Sequence, residues 1–319
     1  MSSKLSIVMY HYVRDLKHSR YPGIKGLDVG LFRKQLGFLC QNYRIVSMEQ
    51  VIDAIVSDND LPENACLLTF DDGYTDCYTF VLPILEEYGV QGSFFIPAKI
   101  FVEHKLLDVN KIHFILANGN SDRIIRFLYE KMDYYRGREF DFASNEELYD
   151  TYGVPNRFDN GDVIFIKRML QNVLPEQIRS IISSELFERE IGIREDVFAR
   201  ELYMSRDQIR TMKRHGMYIG IHGYDHYWLG KVPEDRMKAD IDKALESMDE
   251  FVDTNKWVMN YPYGDYSDEV ISYVKSRGGC AGITVEARIA DIKRDNAMAL
   301  PRFDCNDYPP KSEEYKNRG

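Results

Sequence analysis

Short apolar runs alternate along the chain with stretches in which apolar residues recur every three or four positions. "LSIVMY" at 5–10 precedes the helical pattern of "LFRKQLGFLCQ", "YRIVS" precedes "MEQVIDAIVSD", and "ACLLTF" precedes "CYTFVLPILEEYG", after which "GSFFIPA" is β-rich again. Beyond residue 200 the rhythm resumes, with "SRDQIRTMKRHG" and then "MYIGI", and "PEDRMKADIDKALESMDEFVD" followed by "KWVMNY". "SDEVISYVKSRG" leads to "CAGITV", and "MALPRF" is the final β-like run. Short apolar runs between turn residues read as strands, and the longer periodic stretches read as helices. Their alternation implies parallel strands joined by helical crossovers. Seven or so such units predict an α/β barrel.

From about Glu103 to Arg200 the rhythm breaks. "KMDYYRGREFDF" and "DTYGVPNRFDNGD" are aromatic and charged, and "VIFIKRMLQNVLPEQIRSIISSELFEREIG" is helical. A structureless loop of this length is improbable in a compact domain. The expectation is one domain over 1–319, with a helical insertion at about 103–200 lying over one end of the barrel. That insertion could also serve as a surface for self-association. A polar, mobile C-terminal tail is expected from about 308.

Composition narrows the function. At 44% hydrophobic and 13% aromatic, the 319 residues can bury a large core. A net charge of −10 does not suit nucleic acid, which demands clustered Lys and Arg. "MSSKLSIVMYHYV" lacks the basic segment, long apolar run and cleavage site of an export leader. No stretch approaches the roughly 18 apolar residues of a membrane span. The five cysteines, without a CxxC pair, read as free thiols of a reducing cytosol. The expectation is a cytoplasmic protein whose substrate is found inside the cell.

Barrels of this kind carry chemistry at the C-terminal ends of their strands. The polar residues just past the strands are His11, Asp71 with Asp72, His222 with His226, Tyr263, and Arg302 with Asp304. In "LLTFDDGYTD" two aspartates end an apolar run, and neighbours on a strand point to opposite faces. They share a site only if the chain turns, which Gly73 permits. One carboxylate would then bind a metal while the other stays free as a base; Asp76 is the expected cap of the next helix. In "GIHGYDHYW" the spacing of His222 and His226 puts both imidazoles on one side of a helical turn or compact loop. Two histidines and a carboxylate suit a divalent metal with open positions. In "NYPYGDY" Pro262 and Gly264 set a tight turn whose backbone N–H groups could face a developing oxyanion.

In this order, "TFDDG", "HxxxH" and "PYG" resemble the polysaccharide deacetylase family, carbohydrate esterase family four (the NodB-homology domain). "IVMYHYV" is similar to the first strand of many members, and the resemblance covers 5–100 and 205–305. It implies a distorted (β/α)7-type barrel and a metal-dependent amidohydrolase. Asp71 would be the catalytic base. Asp72, His222 and His226 would hold the metal, usually Zn2+, with Co2+, Ni2+, Fe2+ or Mn2+ as alternatives. The Tyr263 amide would help stabilise the oxyanion, with Pro262 and Gly264 shaping its turn. Tyr227 and Trp228 would line the sugar site or pack in the core.

Three departures stand out. Gly223 replaces the Ser or Thr that usually follows the first histidine. Asn260 stands where an arginine often orients the base, and Arg302 in "LPRFD" is a substitute, or else half of a surface ion pair. Many members supply the acid from a late histidine, but none follows His226 here. His11 is the substitute acid, or a structural histidine, with Asp304 the weaker choice.

The expected activity is hydrolysis of an N-acetyl group on a sugar, as a nucleotide- or lipid-linked precursor of a surface polysaccharide. Two rivals are a metal-dependent hydrolase of a non-sugar amide or cyclic imide, and an impaired member that binds sugar or protein. Arg136, Arg138 and Arg157 of the insertion are candidates for contact with a substrate phosphate.

Overall fold

A computed structural model of the chain describes residues 2–138, 140–156 and 159–317. The chain divides into two compact units, one of residues 1–15, 26–104 and 200–319, the other of 16–25 and 105–199.

The first unit carries the sheet. Its principal strands are β1 (Lys4–Tyr10), β2 (Ala65–Phe70), β3 (Ser93–Ile96), β4 (Tyr218–Ile221), β5 (Trp257–Asn260) and β6 (Gly279–Ile283). They are adjacent in that order and pair in parallel. All six residues of β2 are buried, which is why "ACLLTF" reads as an unbroken apolar run: a parallel strand between two others is covered on both faces. A last segment bridges the ends of the sheet. Leu300 pairs with Ile283 of β6, and Phe303 and Asp304 pair with Val8 and Met9 of β1. The run "MALPRF" thus acts as the closing stave, although only Phe303–Asp304 is a regular strand. Leu5, Ile7, Leu67, Phe95, Val258, Ala281 and Leu300 belong to one buried apolar cluster.

Register sets up the rim of the barrel. Tyr10 pairs with Phe70, and the Asp71 N–H donates to the Tyr10 carbonyl at 2.9 Å. His11 and Asp71 therefore leave the sheet side by side. Asp72 and Gly73 then both take left-handed backbone, with φ of 69° and 68°. This is the turn that two adjacent aspartates need to reach one site.

The second unit is helical. Asp108–Asn118, Ser121–Tyr135, Gly161–Arg168 and Glu176–Ile191 bury Ile112, Ile124, Leu128, Phe165, Ile182 and Phe187. Residues 16–25 belong here, a membership the hydrophobic pattern does not reveal: Tyr21 packs edge-on against Phe114 at 5.1 Å.

Two local expectations need correction. Asp76 makes no cap hydrogen bond to the following turn. Its carboxylate accepts from Arg14 Nε at 2.7 Å instead, because a part-buried carboxylate is better matched by a cation than by a backbone N–H. The tail is anchored at Tyr308, Pro309 and Tyr315: Tyr315 stacks on Tyr308 at 4.6 Å, and Gln35 donates to the carbonyls of Cys305, Tyr308 and Pro309. Two tyrosines give this polar-looking stretch an anchor.

A Cβ added at Gly73 would lie 2.8 Å from Ile100 Cδ1 and 3.0 Å from Ile96 Cγ2, in a left-handed backbone. Gly73→Ala is expected to cost about 1–3 kcal/mol in urea unfolding. Unchanged stability would mean that the turn after β2 is not held in this conformation.

Candidate active site

Asp71 sits just past β2 and is buried, as is Arg302, each 1% exposed. Arg302 reaches it from the closing stave. Its Nη1 donates to Asp71 Oδ1 at 2.9 Å and its Nη2 to Oδ2 at 2.6 Å, a two-pronged pair. The guanidinium is pinned further by the Thr284 carbonyl at 2.7 Å and Asn260 Oδ1 at 3.0 Å. Asn260 Nδ2 also donates to Asp71 Oδ1 at 2.6 Å. Burial alone would raise the Asp71 pKa, but the charge and hydrogen bonds of Arg302 outweigh it and hold the carboxyl below its ordinary value. The surface-pair alternative for Arg302 is thereby excluded. His11 Nε2 lies 3.7 Å from Asp71 Oδ2 with its side chain 39% exposed. Asp304 is occupied otherwise, accepting from the Asn306 N–H at 2.8 Å.

Asp72, on the turn, faces the second cluster. Its Oδ1 lies 3.5 Å from His222 Nε2 and 3.4 Å from His226 Nε2, and all three residues are buried. His222 Nδ1 lies 2.6 Å from the Asn260 carbonyl, which can only accept, so that nitrogen carries the proton. The Nε2 lone pair then points toward Asp72 Oδ1, which has no hydrogen-bond partner among the described groups. An imidazole lone pair and a carboxylate oxygen facing each other in a buried place repel unless a cation lies between them. Bond lengths of about 2.0–2.2 Å to zinc imply donor separations of roughly 3–3.5 Å, so the residues fit a divalent metal. Burial lowers the His226 pKa and keeps that ring neutral, as a ligand must be.

The two histidines lie on a compact loop after β4, not on a helix. Gly223 is left-handed, with φ of 71°, and a Cβ there would come within 2.9 Å of Asp240 Oδ2. Asp240 holds this loop. Its carboxylate accepts the N–H of Tyr224 at 2.9 Å and of Asp225 at 2.8 Å, and burial pushes its pKa up to about 6. Helix Glu234–Ser247 buries Met237, Asp240, Ile241 and Ala244, so the carboxylate lies on the apolar stripe. That position was the available signal for a residue that motif reading passes over. Tyr74, whose O–H donates to Asp72 Oδ2 at 2.5 Å, was missed as well, and only its place after the DDG pointed to it.

Tyr263 closes the cluster. It adopts φ 59°, ψ 6° within the turn Pro262–Gly264, an uncommon state for a residue with a Cβ. Its ring packs edge-on against His226 at 4.7 Å and stacks on Trp228 at 4.3 Å. Pro262 is buried beneath the turn, and Gly264 takes φ 69° with its N–H donating to the Tyr261 carbonyl at 2.8 Å. Trp228 thus packs on the face of Tyr263, next to the His226 ring. Tyr227 is held by Arg236, whose Nη2 lies 2.6 Å from the phenol oxygen. In the second unit, Arg136 donates to the Ala143 carbonyl at 3.1 Å and Arg138 covers the Tyr134 ring at 4.2 Å, while Arg157 lies outside the described residues.

The fold and this rim define a class of protein. The chain belongs to the polysaccharide deacetylase family, whose model matches residues 58–125 and 186–279, about half of it. It is 31% identical over 98 residues to YxkH of Bacillus subtilis (strain 168). It is 36% identical over 83 residues to the poly-β-1,6-N-acetyl-D-glucosamine N-deacetylase of Escherichia coli (strain K12). These matches cover 30% and 25% of this chain, and they span only 33% and 12% of those relatives. In fold it is similar to the Streptococcus pyogenes deacetylase PplD, with TM-score 0.60 and 18% identity over 99% of this chain and 98% of that one. It is likewise similar to a de-N-acetylase from Aggregatibacter actinomycetemcomitans, with TM-score 0.58 and 18% identity over 99% and 100%.

Arg302→Met would leave Asp71 buried without its cation, at a cost of about 3–5 kcal/mol at neutral pH. The sign with pH follows from the direction of each pKa. In the wild type the folded-state value is lowered, so Asp71 stabilises above the unfolded-state value and loses this as pH falls through the folded one. In the variant the largest opposing influence on burial is gone, so the value rises, and acid relieves part of the penalty. Urea unfolding at pH 7 and pH 5 is expected to show a narrower gap at pH 5; a gap independent of pH would contradict the assignment.

Proposed function

We propose that this chain is a metal-dependent deacetylase that hydrolyses an N-acetyl group on a sugar. The observation that carries the reading is the buried set Asp72, His222 and His226, in which Asp72 Oδ1 faces both Nε2 atoms with no hydrogen-bond partner among the described residues, beside a second carboxylate kept ionised by Arg302. A pure binding module has no use for a free base next to a metal set.

Asp72 Oδ1 and the Nε2 atoms of His222 and His226 would hold the divalent ion, with zinc the first choice among zinc, cobalt, nickel, iron and manganese. Such an ion supplies Lewis acidity toward the amide carbonyl and acidifies water. Asp71 takes the proton of the attacking water; Arg302 and Asn260 fix its carboxylate and keep it ionised. The Tyr263 N–H helps stabilise the oxyanion. His11, beside Asp71 and open to solvent, gives a proton to the departing amine nitrogen. Trp228 forms an aromatic wall for the sugar.

The substrate reading is a nucleotide- or lipid-linked N-acetyl sugar inside the cell. All five cysteines are free, which supports a reducing compartment. No helix among the described residues is long and apolar enough to cross a membrane. The name of the E. coli relative favours a second reading, a β-1,6-linked N-acetylglucosamine polymer.

The wild type is expected to bind one divalent metal per chain and to release acetate from an N-acetylated sugar. His222→Ala is expected to lose both, as measured by metal analysis and acetate assay on the same samples. Asp71→Asn is expected to keep the metal and lose at least a hundredfold in acetate release, in line with a general base. A wild type that takes up neither zinc nor cobalt sinks the reading. Comparing a nucleotide-linked N-acetyl sugar with a β-1,6-linked oligomer separates the two substrates.

A further inference from the structure

We propose that Tyr74 is a positioning residue that commits Asp72 to offering a single oxygen to the bound ion. This inference rests on the metal site proposed above. A carboxylate has two equivalent oxygens and ligates through one or both. Here the two are unequal. Oδ2 accepts the Tyr74 O–H at 2.5 Å, while Oδ1 has no hydrogen-bond partner among the described residues and is the oxygen 3.5 and 3.4 Å from the two imidazole nitrogens. A hydrogen bond to an ionised oxygen in a buried place is among the stronger ones. It holds Oδ2 away from the ligand set and turns Oδ1 into it.

The phenol is well fixed for this task. Tyr74 is fully buried. Its ring stacks on Tyr12 at 4.0 Å with 22° between the planes, and faces Tyr203 at 6.1 Å and 14°. The backbone is tied too, through the bridge between Tyr74 and Tyr203 and the Met204 N–H donating to the Gly73 carbonyl at 2.9 Å. The left-handed pair Asp72 and Gly73 folds the chain back so that the ring of residue 74 reaches the carboxylate of residue 72. Three segments far apart in sequence thus hold one hydroxyl under one oxygen. With Asp72 limited to Oδ1, the protein contributes three donor atoms, and positions that a two-oxygen carboxylate would fill remain for water and substrate. Partners of this kind beyond the ligands tune metal affinity by roughly 10–100-fold.

Tyr74→Phe tests this, because it keeps the ring and its stack and removes only the O–H. The cobalt-loaded protein is the probe, since its visible band reports the donor set and geometry around the ion. The variant is expected to show a band changed in position or intensity from that of the wild type, as a second Asp72 oxygen enters in place of water. Its zinc affinity, from competition with a chelator, is expected to fall roughly 10–100-fold. Tyr12→Leu is the companion: it removes the stacking partner but keeps the phenol, so its band should stay like that of the wild type even if stability drops. A Tyr74→Phe protein with the wild-type band and affinity overturns the proposal, and so does a Tyr12→Leu protein with the band change expected of Tyr74→Phe. A wild type that shows no cobalt band at all overturns the metal site itself, before either variant is made.

Discussion

A carboxylate that must stay ionised inside a protein needs a fixed positive partner, and for Asp71 that partner is Arg302. The pair is buried on both sides, so neither charge can fall back on water. Losing one member costs far more than the intact pair contributes, because the survivor is left charged in a medium of low dielectric. The surrounding structure answers that constraint. The Thr284 carbonyl and Asn260 take the guanidinium protons that Asp71 leaves over, and Thr69 stands beneath it at 3.2 Å. The closing stave must also lie in one register against β1 and β6, since a shift by one residue would turn Arg302 to the other side of the sheet.

The same constraint explains why Asn260 suffices at its position. An arginine there would bring a second cation to a carboxylate that already has one. The asparagine instead offers a donor to Asp71, an acceptor to Arg302 and a backbone carbonyl to His222. It joins Asp71 and the cluster of Asp72, His222 and His226 through one residue. His222 thereby has its tautomer fixed by the strand that also orients Asp71.

Much of this was legible in the sequence, for physical reasons. Parallel strands are covered on both faces, so "ACLLTF" and "GSFFIPA" stand out as apolar runs, and polar residues just beyond such runs have one place to go, the rim. What escaped depends on contacts between distant residues or on geometry without a residue signature. Arg302 stood out as a polar residue at the last strand end and as a substitute for the arginine missing at 260, but nothing local marks it as buried or as the partner of Asp71. Asp76 looks like a helix cap because its partner, Arg14, is 62 residues away. Asp240 hides in a helix whose acidic residues are mostly solvated. Tyr74 hides among 22 tyrosines. The membership of residues 16–25 in the helical unit rests on packing such as Tyr21 against Phe114, which no periodicity encodes.

The closing stave has a consequence in time as well as in space. Asp71 and Arg302 are separated by 231 residues. On the ribosome Asp71 emerges long before its cation, so the aspartate waits in a partly assembled sheet without its guanidinium partner. A carboxylate in that position resists being dehydrated, which keeps the mouth of the nascent barrel wet. The rim can dry only when the closing stave arrives, and assembly of the site is thereby tied to the synthesis of a segment far downstream of Asp71.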